Sequence, residues 1–184
     1  ALHRAKQAGG GRAAFFEQGM GEAAEQRFRV ERELRHAIGA GELRLHLQSQ
    51  VDVSGQVTGA EVLVRWQHPR DGLVAPGVFI PVAEESDLIV SLGEWVLAHA
   101  CALLAQPVFR ARRLRLSVNL SARQFRQAGF VGQLRAVLAA TGADPRLLTL
   151  EVTEGLVIDD FDDAVAKMRA LAALGVDMSL DDFG

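Results

Sequence analysis

Apolar and polar positions recur with different periods in two parts of this chain, and the change near Gly41 separates a helix from a region of alternating strands and helices. Between residues 22 and 38, apolar residues recur at helical spacing among charged ones, which predicts an amphipathic helix that Gly39 and Gly41 end. The predicted apolar stripe of this helix consists of Phe28, Leu34 and Ile38. After Gly41, segments with the period of strands alternate with segments with the period of helices. Such alternation favours an α/β fold with mainly parallel strands.

The alternating part of the chain predicts strands over residues 43–51, 57–66, 114–120, 147–152 and 176–180. It predicts helices over residues 79–85, 88–105, 130–141 and 160–174. A turn-rich connection, residues 52–55, joins the first two strands. The last helix is expected to bury a stripe formed by Phe161, Val165, Met168, Leu171 and Leu174.

Four of the predicted strands have one apolar and one largely polar face when their residues are divided by parity. The polar sets include Glu61, Asn119, Glu151 and Asp181. A parallel sheet covered by helices on both sides should be apolar on both faces. A closed barrel with a polar lumen suits this pattern better, and barrel active sites gather at the carboxyl ends of the strands. We therefore expect these four side chains to converge at one mouth.

The convergence of three acids predicts a divalent cation, because carboxylates within a few ångströms of each other repel unless a cation neutralises them. Oxygen-only ligands suit Mg²⁺, Mn²⁺ or Ca²⁺ rather than zinc. The alternative is that these acids only cap the ends of strands or helices. Asp182 directly follows Asp181 and would face the same site only if the strand bends, as a second metal ion would require. Glu154 has the opposite parity to Glu151 and is expected to brace a loop.

Composition narrows the classes of function. The chain is 49% hydrophobic and 23% charged with a formal net charge of −3, so bulk charge predicts no binding of DNA or RNA. Its single cysteine, Cys101, excludes an internal disulfide framework and favours a reducing, cytoplasmic environment. A chain that starts at Ala1 without Met and stops at Gly184 is expected to be a piece of a longer protein.

The residues of the polar faces lie in motifs that resemble those of the EAL family of cyclic di-GMP phosphodiesterases. The resemblance extends from about residue 31 to residue 184. The motifs are EVLVRW at 61–66, QSQVD at 48–52, FIPVAEE at 79–85, VNLS at 118–121, EVTE at 151–154 and DDFG at 181–184. The first residues, 1–17, resemble the end of a GGDEF diguanylate cyclase domain. This division leaves 18–41 as a linker helix and 42–184 as an EAL-like domain.

The resemblance implies a modified (β/α)₈ TIM-like barrel with an antiparallel first strand, here incomplete before its last strands. It implies a parent protein that hydrolyses a phosphodiester of cyclic di-GMP to linear pGpG in bacterial second-messenger signalling. The family's general-base Glu and its catalytic Lys are expected beyond Gly184, so the 184-residue chain alone is expected to be inactive. The alternative is a catalytically inactive cyclic di-GMP receptor or a protein-interaction module of a GGDEF–EAL signalling protein.

Carried over residue by residue, the resemblance assigns the divalent-cation ligands, Mg²⁺ or Mn²⁺ and two ions in number, to Glu61, Asn119, Glu151, Asp181 and Asp182. Arg65 would contact a phosphate, the alternative being a solvated or ion-paired arginine at the strand end. Leu63 and Gln48 would hold a guanine and line the pocket, the alternatives being barrel core and a solvated strand end. Glu154 would anchor the loop that starts at Asp181.

The resemblance also implies partners. Homodimerisation or other self-association is expected, as is a GGDEF domain upstream in the same chain. Upstream segments are also where a membrane tether of the parent protein would lie. The sequence departs from the family where Val62 replaces the usual alanine, where Ser49 replaces a common proline, and where His46 and Leu47 stand in place of a common tyrosine.

Overall fold

The computed structural model describes the backbone of residues 18–153 and 161–181 and the side chains of residues 21–152 and 161–179. The resemblance of residues 1–17 to a cyclase domain and the predictions for Glu154 and Asp182 therefore concern positions outside the described residues. In the described part of the chain, no helix has both the length and the apolar character that a bilayer span requires.

The described chain alternates strands and helices. The strands, in chain order, are β1 (Leu43–Val51), β2 (Val57–His68), β3 (Gly72–Val74), β4 (Arg115–Asn119), β5 (Leu148–Thr153) and β6 (Asp177–Asp181). The helices are α1 (Gln18–Ala40), α2 (Pro76–Glu85), α3 (Leu88–Leu104), α4 (Pro107–Arg112), α5 (Ala122–Phe125), α6 (Phe130–Thr141) and α7 (Phe161–Leu174), with a 3₁₀ turn at Pro145–Leu147.

One sheet with the strand order β1-β2-β4-β5-β6 runs through the structure, and the short β3 pairs with β2. β1 is antiparallel to β2, whereas the pairs β2/β4, β4/β5 and β5/β6 are parallel. Within the described residues, β1 and β6 form the two edges. The sheet is consistent with an incomplete TIM-like barrel, and it confirms the predicted α/β class and the antiparallel first strand.

The core lies against the apolar face that strand parity predicts. Leu116, Leu148 and Leu150 are fully buried, and Val118 and Val152 are 1% exposed. These strand residues form one cluster with residues of α3, α6 and α7. Each such side chain contributes roughly 1.5–3 kcal/mol through removal from water. The apolar face therefore packs the sheet against the helices, and the opposite face can carry polar groups.

A second, smaller core joins α1 to the carboxyl end of β2. Val30, Leu34 and Ala37 of α1 pack in one cluster with Trp66 and Phe79. Polar contacts reinforce this packing at the same end of the strand. The indole Nε1 of Trp66 donates to Oε2 of Glu42 at 3.0 Å. Glu33 of α1 makes two further contacts, since its carboxylate lies 3.5 Å from Nε2 of His68 and 2.6 Å from Nη2 of Arg70.

The predicted apolar stripe of α1 is wrong at its first member. The side chain of Phe28 is 73% exposed, whereas the buried positions are Val30, Leu34 and Ala37. All residues from 22 to 29 are exposed, and Arg27 in this half of the helix forms an exposed ion pair with Glu85 of α2 at 3.2 Å. Gly39 lies inside α1, and Gly41, with φ +70°, is the residue at which the helix gives way to β1.

Short elements and one helical stripe also differ from the predictions. The sequence pattern predicts no β3, α4 or α5, because three to six residues are too few to show a period. The stripe predicted for α7 is wrong at Phe161, which is 63% exposed. Its buried positions are Ala164, Lys167 and Leu171, so a lysine occupies a place in the packed face.

Because Leu34 is fully buried and Phe28 is largely exposed, α1 offers a matched pair of truncations. We expect Leu34→Ala to lower the free energy of unfolding by about 2–5 kcal/mol, since it leaves a cavity between α1 and β2. Phe28→Ala should change it by less than about 0.5 kcal/mol. Urea unfolding followed by circular dichroism measures both. Equal effects of the two variants would contradict the packing of α1 described here.

Cys101 lies in α3 in the larger core and is fully buried. Burial raises the pKa of its thiol to about 11. The reactive thiolate is therefore scarce near neutral pH, and we expect negligible alkylation by iodoacetamide at pH 8 in the folded protein. In urea the same thiol should react fully, which mass spectrometry detects. Rapid alkylation without denaturant would contradict the burial of α3.

Candidate active site

The polar face of the sheet is assembled by the register between its parallel strands. Glu61 on β2 pairs with Ser117 on β4, and Asn119 pairs with Glu151 on β5. Paired residues of neighbouring strands project to the same side of a sheet. The register therefore brings Glu61, Asn119 and Glu151 to one face, as the parity of the sequence predicts, with Asn119 and Glu151 near the carboxyl ends of their strands and Glu61 near the end of the parallel pairing of β2 with β4.

Glu61 and Asn119 are in direct contact. The Asn119 amide Nδ2 donates to Oε1 of Glu61 at 2.8 Å. Glu61 is half-buried, and this hydrogen bond offsets part of its desolvation. The bond uses one carboxylate oxygen and the amide nitrogen, so the carbonyl oxygen of Asn119 and the second oxygen of Glu61 are not consumed by it. The contact orients both side chains before any ligand binds.

A cavity of about 400 Å³ opens beside this pair. Its polar lining includes Arg65, Glu84, Asn119, Ser121 and Glu151, and its apolar lining includes Leu63 and residues of α2 and α3 such as Ile80 and Leu92. Glu151 is half-buried, and its backbone carbonyl accepts a hydrogen bond from the amide of Leu120 at 2.8 Å. The middle of β2 and the carboxyl ends of β4 and β5 therefore border one space large enough for part of a small ligand.

Two of the three predicted substrate-binding residues line the cavity, and the third does not. Leu63 and Arg65 are half-buried and line the cavity. The guanidinium of Arg65 donates from Nη1 to the carbonyl of Val64 at 2.9 Å, and it has no ion pair with an acid whose side chain the structure describes. Gln48 pairs with Glu61 across β1 and β2 but is exposed and is not part of the described cavity lining.

The remaining predicted metal ligands are described only in part. The backbone places Asp181 at the end of β6, opposite Thr153 and two residues beyond the pair of Glu151 and Ser179. Asp182 and Glu154 lie outside the described residues. Among the side chains that the structure describes, no group of three His, Cys, Asp or Glu residues comes together as a metal site. The complete ligand set therefore stays a prediction.

The described donors nevertheless fit a hard divalent cation. The side chains at this rim that offer lone pairs are carboxylates and an amide, all of them oxygen donors. Such donors favour Mg²⁺ or Mn²⁺ over zinc, which prefers nitrogen and sulfur. A cation bound here would use Glu61, Asn119 and Glu151.

Some residues at this rim escape prediction from the sequence. Ser117 is only 5% exposed on the polar face, and its hydroxyl accepts a hydrogen bond from Nε2 of Gln50 at 3.5 Å. The parity of β4 indicates its face but not its burial. Glu84 lines the cavity from α2, and nothing in the spacing of the sequence distinguishes it from its neighbour Glu85.

A model of the EAL domain family matches residues 31–184. The chain belongs to the EAL domain family. This EAL domain is 39% identical over 194 residues to the bifunctional diguanylate cyclase/cyclic di-GMP phosphodiesterase MucR of Pseudomonas aeruginosa. It is 38% identical over 186 residues to the cyclic di-GMP phosphodiesterase NbdA of the same organism.

Both alignments include 100% of the chain, but they cover only 27% of MucR and 24% of NbdA. The chain thus spans about a quarter of the length of these curated relatives. Among solved structures, the PaMucR phosphodiesterase in complex with c-di-GMP superposes with a TM-score of 0.79 at 40% identity. That superposition covers 85% of this chain and 64% of the solved chain. The EAL fold of this domain is therefore shared with a solved phosphodiesterase.

The contact between Glu61 and Asn119 can be tested without a ligand. In Asn119→Asp a carboxylate oxygen replaces the amide donor and faces Glu61. We expect this variant, treated with EDTA, to be less stable than Asn119→Ala by about 0.5–1 kcal/mol at low ionic strength, because the pair is partly exposed. Salt screens such repulsion, so the difference should shrink in about 1 M NaCl. Equal urea midpoints for both variants at low salt would contradict the contact.

Proposed function

We propose that this EAL domain belongs to an enzyme that hydrolyses cyclic di-GMP to linear pGpG with the help of Mg²⁺ or Mn²⁺. The observation that carries the proposal is the hydrogen-bonded pair of Glu61 and Asn119 beside Glu151 at one rim of the sheet. The similarity to MucR and NbdA supports the choice of substrate class. In this proposal the domain, residues 42–184, follows a linker helix, 18–41, and a GGDEF-like domain upstream.

Under this proposal, Glu61, Asn119 and Glu151 would hold one divalent cation together with Asp181, and Asp182 would serve a second. Bound Mg²⁺ or Mn²⁺ supplies Lewis acidity at the phosphate and a more acidic bound water. Because the bond between Glu61 and Asn119 already orients both side chains, cation binding would cost less conformational entropy.

The chain's own residues would position the substrate. Arg65, on the cavity wall without a described ion-pair partner, would bind a phosphate with its guanidinium fork. Leu63 offers apolar surface in the same cavity for a guanine, and Gln48 would reach it from β1. Glu154 would anchor the loop that starts at Asp181. The general-base Glu and the catalytic Lys would come from the rest of the longer protein.

The test is turnover of cyclic di-GMP by the full-length protein, with pGpG separated by chromatography. We expect activity that requires Mg²⁺ or Mn²⁺ and that falls roughly a hundredfold or more in Glu61→Gln, since a ligand of the charge-stabilising cation is lost. Glu25→Gln, at an exposed position of α1, is the matched control and should retain full activity.

Two outcomes would reject the enzymatic proposal. Turnover that is independent of metal, or unchanged in Glu61→Gln, would exclude this rim as the reaction centre. Binding of cyclic di-GMP by the full-length protein without turnover would identify a receptor instead. Equilibrium dialysis with labelled cyclic di-GMP separates that case from a protein that binds no dinucleotide.

A further inference from the structure

Lys167 is a buried lysine on α7 with contacts to a distant part of the chain. It is 7% exposed. Its Nζ donates to the backbone carbonyl of Phe125 at 3.0 Å, across 42 residues of sequence. The same Nζ lies 2.7 Å from Oδ2 of Asp163 and 5.6 Å from the centroid of the Phe125 ring. A buried ammonium is costly unless it is paired, so these contacts specify one position for the side chain.

The carbonyl that Lys167 binds belongs to Phe125, the last residue of a short segment that begins at Asn119. We call residues 119–125 the rim segment. Within it, the hydroxyl of Ser121 accepts from the amide of Gln124 at 3.1 Å, and the carbonyl of Ser121 accepts from the amide of Phe125 at 3.0 Å. Phe125 itself is 1% exposed. These bonds close the turn from Ser121 to Phe125, which begins two residues after Asn119 at the end of β4, so a contact at Phe125 restrains the chain directly beyond Asn119.

Arg123 joins the rim segment to α2 and to the residue that precedes α3. The guanidinium of Arg123 donates to the carbonyl of Glu84 at 2.9 Å and pairs with Asp87 at 2.8 Å. The side chain of Arg123 is 44% exposed, however, and such exposed pairs contribute little. The Lys167 side chain is 8% exposed, so its charge-assisted bond to a backbone carbonyl is the stronger of the two polar restraints.

We infer that Lys167 is a positioning residue, which fixes the rim segment to α7 and thereby holds the Asn119 amide against Glu61. Its consequence for metal binding rests on the proposed function. The chain has eighteen arginines and two lysines, and this site suits the lysine. A compact ammonium with three donors can meet a carbonyl and a carboxylate at once beneath an aromatic ring, whereas a planar guanidinium needs more room.

The experiment compares Lys167→Met with the wild type in the full-length protein. Methionine keeps the length and apolar stem of the side chain but removes the ammonium. We expect amide hydrogen exchange in peptides covering residues 119–126 to accelerate about tenfold, as the loss of one charge-assisted hydrogen bond implies. The dissociation constant for Mn²⁺, measured from the electron paramagnetic resonance signal of free Mn²⁺, should rise roughly tenfold. Lys167→Arg should restore part of both.

Two control variants separate positioning from general stability. Arg169→Met removes an exposed charge from the same helix and should leave both measurements at their wild-type values. Leu171→Ala truncates a fully buried side chain of α7 and should lower the urea midpoint without selective exchange in the rim segment. Wild-type exchange in Lys167→Met would overturn the inference. An equal rise of the Mn²⁺ dissociation constant in Leu171→Ala at matched stability would also overturn it.

The two measurements also distinguish this inference from the proposed function. If the wild-type protein binds no Mn²⁺, the proposed metal-dependent function fails. The exchange of the rim segment then still decides whether Lys167 holds it. If Mn²⁺ binds normally but exchange is unchanged in Lys167→Met, only the positioning role is rejected.

Discussion

Asn119 pairs with Glu151 across β4 and β5, and the chemistry of the rim depends on this register. A slip of one residue would turn every polar side chain of a strand toward the helices and every apolar one toward the cavity. Val118 and Leu150, both buried beside these residues, make such a slip costly. The hydrophobic face thus determines where the acids lie.

Hydrogen bonds between side chains also order the polar face of the sheet. Glu61 loses hydration in its half-buried position, and the amide of Asn119 replaces part of it. Ser117 occupies the adjacent, more deeply buried position and is bonded to Gln50 of the antiparallel strand. Neutral hydrogen-bonding groups therefore lie among the carboxylates, which limits repulsion within the face.

The sequence predicts the bounds of an element correctly where its hydrophobic periodicity and its flanking turn residues agree. β1 and α6 have the bounds that the pattern predicts, and α6 ends at Gly142, whose φ of +70° explains the stop. Periodicity reports residue type but not the neighbour that a residue meets. Phe28 and Phe161 are apolar but largely exposed among the described residues, whereas Lys167 is charged but buried. Its carboxylate partner, Asp163, lies four residues earlier on the same helix and is visible in the sequence, but its carbonyl partner, Phe125, lies 42 residues away and belongs to no local pattern.

The reversed direction of β1 determines where the polypeptide approaches the sheet. Leu43, at the start of β1, pairs with Trp66 at the far end of β2, so α1 arrives at the cavity side of the sheet. With a parallel first strand, the same helix would end at the base, about 30 Å away for a strand of this length. The helix α1 therefore packs on Trp66, the immediate chain neighbour of Arg65, which lines the cavity. The entry of the chain into the sheet and the wall of the cavity thus share one edge of the sheet.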